Sequence, residues 1–216
     1  FNIGIEKKLS ALAAIIASLS SRESKKRFTA LNKVSLEISS GEIVGITGNN
    51  GSGKSTLLRI IAGIYKPDSG TIYIDGKVIS IINLGVGLIE RLPMRDNIFI
   101  VGSLFGMSKK SIREKFDSIV EFSELQQFKC TKIYQFSAGM IQRLAFSIAI
   151  HADPDILLLD EVFEVGDESF RKKSSEKIKE LARNGAAVIL VSHDHELIER
   201  NCTSVIRLEH GRTVAA

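Results

Sequence analysis

Eight consecutive residues, Gly48-Asn49-Asn50-Gly51-Ser52-Gly53-Lys54-Ser55, have the types and spacing needed to hold a polyphosphate. The apolar run Ile43-Val44-Gly45-Ile46 reads as a buried strand entering them, and Thr56-Leu57-Leu58-Arg59-Ile60-Ile61 as the helix leaving. A strand, a glycine-rich turn and a helix start aim backbone N–H groups and the helix dipole at phosphate oxygens. Gly51 and Gly53 leave room for phosphate where a Cβ would intrude. Lys54 would reach the β- and γ-phosphates, and the Ser55 hydroxyl would ligate Mg²⁺. Residues Gly48 to Thr56 are therefore the candidate nucleotide contacts.

Two further strands end in polar groups. Ile156-Leu157-Leu158-Leu159 delivers Asp160 and Glu161, where open α/β sheets gather ligands and catalytic groups. Neighbouring residues on a strand point to opposite sides, so the two acids have different tasks. Asp160 suits Mg²⁺, directly or through water, and Glu161 suits polarising the water that attacks a γ-phosphate. Val188-Ile189-Leu190-Val191 leads into Ser192-His193-Asp194, and His193 is placed to donate to a γ-phosphate. His151, His195 and His210 lack such placement and read as surface or packing residues. Phe136-Ser137-Ala138-Gly139-Met140 opens another helix, whose N-terminus reads as a cap that also suits an anion.

The elements that must position these groups alternate along the chain. From Leu31 to Ile82 strands and a helix are expected, with breaks at Ser40-Gly41, Lys66 to Gly70 and Asp75-Gly76. The signal then turns helical, with helices over about 97–105, 109–122 (Ser108 as N-cap) and 138–151. Beyond Pro154 the alternation returns, with unbroken apolar strands at 156–159 and 187–191. A helix over about 168–183, stopped by Asn184-Gly185, separates them. Such runs belong to strands of a parallel sheet covered on both faces. Ahead of all this, Ile5, Leu9, Leu12, Ile16 and Leu19 form one apolar helical stripe, followed by a basic linker at 22–27. That stripe suits either packing on the chain's own core or lying near lipid headgroups or a membrane partner.

Composition bounds the class. With 216 residues, 44% of them hydrophobic, the chain can bury a substantial core. A net charge of +4 is mildly basic and singles out neither nucleic acid nor membrane. Cys130 and Cys202 stand far apart without a CxxC pattern and read as reduced thiols rather than zinc ligands. The longest uncharged helical stretch, Leu9 to Ser21, has 13 residues against the roughly 20 that a span needs.

Taken in order, these motifs resemble the nucleotide-binding subunit of an ABC transporter from Arg27 to Gly211, and within that family the polysaccharide exporters. The residues 48–55 match the Walker A loop, Asp160-Glu161 the Walker B strand with its catalytic glutamate, and Ser137-Ala138-Gly139-Met140 the signature motif. Val165-Gly166-Asp167 corresponds to the D-loop and His193 to the switch histidine. The Gly-Met ending of the signature, the Val-Gly-Asp D-loop and the glutamine-free loop Ile81 to Gly87 carry the likeness to exporters of O-antigen, capsule or teichoic acid. Asn83 is the nearest amide in that loop, and Phe1 and Phe28 are the candidates for stacking on adenine.

The resemblance implies a P-loop NTPase of RecA-like α/β fold, a parallel-sheet core carrying an inserted helical subdomain. Its implied organisation is one nucleotide-binding domain over 1–216. Residues 1–27 would be a strand end, amphipathic helix and linker, 28–83 and 153–216 the ATPase core, and 84–152 the helical insert. It implies ATP and Mg²⁺ as ligands and a head-to-tail homodimer in which Walker A of one copy and Ser137 and Gly139 of the other enclose each ATP, with Asp167 of the D-loop also among the nucleotide contacts. Permease subunits in the membrane would be the partners, with this chain peripheral on the cytoplasmic face of the cell membrane and no nucleic acid bound. The competing expectation is a soluble ATPase of the same superfamily acting on nucleic acid or protein complexes. Against it stand the lack of a long coiled-coil insertion and of aromatic-basic interleaving.

Overall fold

The unbroken apolar runs become the middle of a six-stranded sheet. A computed structural model describes residues 28–82, 87–160 and 167–214; the stripe at 5–20, Phe1, Asn83, Glu161 and Val165-Gly166 lie outside them. In chain order the elements are β1 (Ile43–Thr47), α1 (Lys54–Ile61), β2 (Val78–Ile81), α2 (Met94–Leu104), α3 (Lys109–Ser123) and α4 (Ala138–Ile150). There follow β3 (Ile156–Asp160), α5 (Glu168–Arg183), β4 (Ala187–Val191), α6 (His195–Asn201), β5 (Ser204–Glu209) and β6 (Arg212–Val214). The sheet order is β2-β3-β4-β1-β5-β6, parallel throughout except for the last, antiparallel pair.

Successive residues of each central strand serve opposite faces. Leu157, Leu159, Val188 and Leu190 enter one core with Ile98 and Val101 of α2, Leu144 and Ile148 of α4, and Phe170 and Ile178 of α5. Leu158, Ile189, Val191 and Ile46 enter the other, with Leu57 and Leu58 of α1 and the partly buried Val34, Leu36 and Ile38. Two dry faces explain why these strands read as continuous rather than alternating hydrophobicity. On the first face Gly45 lets α6 approach the sheet: a Cβ there would lie 2.8 Å from Ile198 Cγ2 and 3.0 Å from Cys202 Sγ.

Helices α3 and α5 are amphipathic and begin as their sequences predict. Ser108 accepts from Ser111 N–H at 3.1 Å, and Asp167 Oδ1 accepts from Phe170 N–H at 2.9 Å. Gly185, at φ 100°, ends the run after α5. Helix α4 is buried along its whole second half, 144–150, as befits a helix packed between α3, α5 and the sheet.

Two expectations differ from the structure. Helix α2 starts at Met94 rather than near Asn97, because tertiary bonds hold its first turn: Met94 N–H donates to Thr131 O at 2.9 Å and Arg95 N–H to Lys129 O at 3.1 Å. The stretches 31–38 and 71–75 alternate like strands yet form no ladder among the described residues. Val34, Leu36 and Ile38 use their alternation to cover the second core, whereas Ile72, Tyr73 and Ile74 are exposed, Tyr73 at 89%. Alternation reports which side faces a core, not whether a backbone partner is present.

Candidate functional site

Strand register decides which groups meet. Ile46 of β1 pairs with Val191 of β4, and Val191 pairs with Asp160 of β3. One row across three parallel strands thus brings the start of the glycine loop, Asp160 and the Ser192-His193 turn to the same edge of the sheet. At strand spacings of about 4.8 Å, Ile46 and Asp160 stand roughly 10 Å apart, within reach of one extended ligand.

The loop between β1 and α1 is shaped by glycines with left-handed backbone, Gly48 at φ 146°, Gly51 at 78° and Gly53 at 107°. A Cβ on Gly48 would lie 2.2 Å from Leu208 O, and one on Gly53 would lie 2.8 Å from Ala30 O and 2.7 Å from Leu31 Cδ2. Those two glycines therefore answer to the protein's own packing. At Gly51 a Cβ would meet no protein atom within 4 Å, so within the protein itself it is the left-handed backbone that asks for glycine there. The loop is also tied from behind, with Gly211 N–H donating to Ser52 O at 2.9 Å and Asn32 N–H to Gly211 O at 2.7 Å.

Lys54 is 6% exposed, and its Nζ donates to Gly48 O at 2.7 Å and Asn49 O at 3.2 Å. The ammonium thus folds over the loop rather than out to solvent. Gly53 stands at the N-cap of α1 and offers no side-chain acceptor to its first turn. Those amides keep their donors for an anion, and the half-buried Ser55 and Thr56 lie in the same turn. Ser52 Oγ is buried without a hydrogen-bond partner among the described residues, a further polar atom with unused capacity. Asn49, Asn50 and Gly51 are exposed. The features fit a phosphate chain. For Mg²⁺ the fit is also good. No cluster of three His, Cys, Asp or Glu stands among the described residues, so the ion would combine Ser55 and Asp160 with phosphate oxygens and water.

Beyond the end of β4, Ser192 is buried and its Oγ accepts from Asp194 N–H at 2.9 Å. Asp194 in turn caps α6 by accepting from Leu197 N–H at 3.1 Å. The two bonds fix the turn on which His193 is exposed at the sheet edge.

Ser137, Gly139 and Asp167 stand on two elements, α4 and the start of α5, that Arg143 joins. Ser137 Oγ caps α4 by accepting from Met140 N–H at 3.2 Å, and a Cβ on Gly139 would meet nothing closer than Ser137 Oγ at 3.9 Å. The link is Arg143 of α4, whose Nη2 donates to Asp167 Oδ2 at 2.7 Å. The Asp167 carboxyl is held below the usual carboxylate range, first by the Phe170 N–H and then by Arg143. These residues and the glycine loop have different neighbours: Glu124 and Phe170 here, Leu208, Gly211 and Leu31 there. Phe28, one of the two adenine candidates, is 84% exposed.

The sequence reading passed over two residues. Arg143 is one. The other is Asn97, fully buried, whose Oδ1 accepts from Ile89 N–H at 2.6 Å while Nδ2 donates to Ile89, Leu92 and Pro93 carbonyls at 3.0–3.2 Å. A polar residue on the buried stripe of α2, between Met94 and Val101, was the available signal.

With this geometry in view, comparison with known proteins is decisive. The family model described as ABC transporter matches residues 31–164, more than half of the chain. The chain belongs to the ABC transporter family. It is 44% identical over 183 residues to the O-antigen export system ATP-binding protein RfbB of Myxococcus xanthus, covering 85% of this chain and 42% of that protein. It is 41% identical over 196 residues to the teichoic acids export ATP-binding protein TagH of Lactococcus lactis, covering 91% of this chain and 42% of the relative. The chain therefore spans about two fifths of the length of either relative. Among solved structures, a dimeric ATP-binding cassette in a post-hydrolysis state with ADP and Pi superposes with a TM-score of 0.76 at 29% identity, covering 86% of this chain and 89% of that one. The α/β fold is that of ABC ATPase cassettes, as the phosphate loop and strand pattern lead one to expect. No helix among the described residues is long and apolar enough to cross a membrane.

Proposed function

We propose that this chain is the ATP-hydrolysing subunit of an ABC transporter that exports a polysaccharide, of the O-antigen, capsule or teichoic acid kind, across the cytoplasmic membrane. The observation that carries the ATPase reading is the row in which the uncapped glycine loop, Asp160 and the His193 turn leave the sheet together. The names of the relatives support the cargo class.

In this reading residues 48–56 cradle the phosphates with backbone amides, and Lys54 moves its ammonium from Gly48 O and Asn49 O to the β- and γ-phosphates. Ser55 and Asp160 hold Mg²⁺, which when bound supplies positive charge that neutralises phosphate oxygens. Glu161 accepts a proton from the attacking water, and His193 donates to the γ-phosphate. Ser137, Gly139 and Asp167 face the nucleotide held by a second copy, so the working unit is a homodimer whose closure and opening drive attached permease subunits. The chain sits peripherally on the cytoplasmic face of the membrane.

The test is direct. Purified protein given Mg-ATP, alone and with its membrane partner, is assayed for phosphate release and for ATP-dependent pairing by sedimentation. Absence of both in both settings sinks the reading. Salt-dependent DNA binding with no membrane partner would favour the soluble ATPase instead.

A further inference from the structure

Arg143 lies on α4 six residues after Ser137, roughly 9 Å further along the helix axis at 1.5 Å per residue. Its side chain is 18% exposed and is engaged on three sides. Nη2 donates to Asp167 Oδ2 at 2.7 Å, Nη1 to Glu124 Oε2 at 2.6 Å, and the guanidinium carbon lies 4.8 Å from the centre of the Phe170 ring. Its backbone is held as well, since Ser147 Oγ donates to Arg143 O at 2.6 Å. Glu124 is the αL residue that ends α3, and its other oxygen faces Lys173 of α5 at 3.5 Å.

Asp167 divides its oxygens between two tasks. Oδ1 caps α5 through Phe170 N–H at 2.9 Å, and Oδ2 takes the guanidinium. Capping needs only an oxygen, which asparagine also supplies; the second bond needs charge and a planar fork. A lysine at position 143 would bring one point charge. It could not reach two carboxylates on different elements while stacking on Phe170.

We propose that Arg143 is a positioning residue for ATP turnover: it ties Asp167, at the start of α5, to α4, the helix that Ser137 caps, so that Ser137, Gly139 and Asp167 meet the second copy's nucleotide on rigidly joined elements. This rests on the dimeric ATPase reading above. Nucleotide binding by the loop at 48–56 of the same copy lies on other elements and does not depend on it.

The experiment compares Arg143→Lys, Arg143→Gln, Asp167→Asn and the Arg143→Gln/Asp167→Asn double variant in the full chain. Each is checked for thermal midpoint, for binding of a fluorescent ATP analogue, for ATP-driven pairing and for phosphate release. The expected result is unchanged analogue affinity in the two Arg143 single variants, with turnover lowered by on the order of tenfold to a hundredfold in each single variant, the scale of a small misplacement in a site. Turnover in the double variant should be no lower than in the worse single one, because both break the same link. Additive losses, parental turnover in Arg143→Lys, or turnover losses that vanish once normalised to the folded fraction would each overturn the assignment. Should the parent protein itself neither pair nor release phosphate, the ATPase reading falls and this inference with it; normal parental activity with normal variants defeats this inference alone.

Discussion

A buried ammonium is costly unless acceptors replace water, and Lys54 finds two of them, Gly48 O and Asn49 O, inside the loop it closes. The arrangement predicts what Lys54→Ala will do. The fold should survive, because the two carbonyls lie beside exposed residues, but the charged partner of the phosphates is gone. With a hydrogen bond to a charged group worth about 1.5–3 kcal/mol, ATP affinity should fall at least about tenfold. Titration calorimetry on the purified variant measures this, and parental affinity would remove Lys54 from its assigned role. At this scale the residue types were legible while their reasons were only partly so. The spacing GxxxxGKS announces a phosphate loop, but nothing local in the sequence says that a side chain on Gly48 or Gly53 would strike Leu208 and Ala30. Those neighbours arrive from opposite ends of the chain.

Among the elements, the same contrast holds with a different cause. Strands β1, β3 and β4 were plain because both their faces are dry, and helices α3 and α5 because their capping residues and apolar stripes agree. The opening turn of α2 was not plain, since it is held by Thr131 and Lys129, more than thirty residues downstream. Asn97 is the hub of that region. Its carboxamide fastens the Ile89–Pro93 segment to α2, so Asn97→Ala would take the acceptor from the Ile89 N–H and one donor from each of three carbonyls, which keep their backbone partners. A loss of about 1–3 kcal/mol is expected, the cost of one backbone donor left without its acceptor. Denaturant unfolding checks it, and a loss below about 1 kcal/mol would show that water or rearrangement replaces the amide. The strand-like stretch at 71–75 teaches the complementary lesson: its alternation is genuine, yet Tyr73 ends almost wholly in solvent.

For the molecule as a whole, the glycine loop and the residues Ser137, Gly139 and Asp167 stand on different elements with different neighbours, and the proposed function completes each site from two copies. Glu161→Gln tests that arrangement without disturbing either group. The variant keeps the shape of the acid but cannot accept a proton, so it should bind ATP, release phosphate at least about a hundredfold more slowly, the lower end of what a positioned general base contributes, and accumulate as an ATP-dependent dimer. Sedimentation with and without Mg-ATP reads the outcome; a variant that hydrolyses at the parental rate would take Glu161 out of the mechanism. The family and the motif order were legible from the residues alone, whereas the clamp at Arg143 was not. It depends on three elements whose closeness only the fold supplies.

The close seat of α6 on Gly45 has a practical corollary for watching such cycles. It buries the sulfur of Cys202, and that burial pushes the thiol up to about 11, so at neutral pH almost none of it is the reactive thiolate. Cys130, the chain's other cysteine, is exposed. A maleimide dye should therefore attach once per polypeptide, at Cys130, with no engineering of the sequence. Mass spectrometry after brief labelling would show one adduct, and a second on Cys202 would mean that α6 lifts from the sheet.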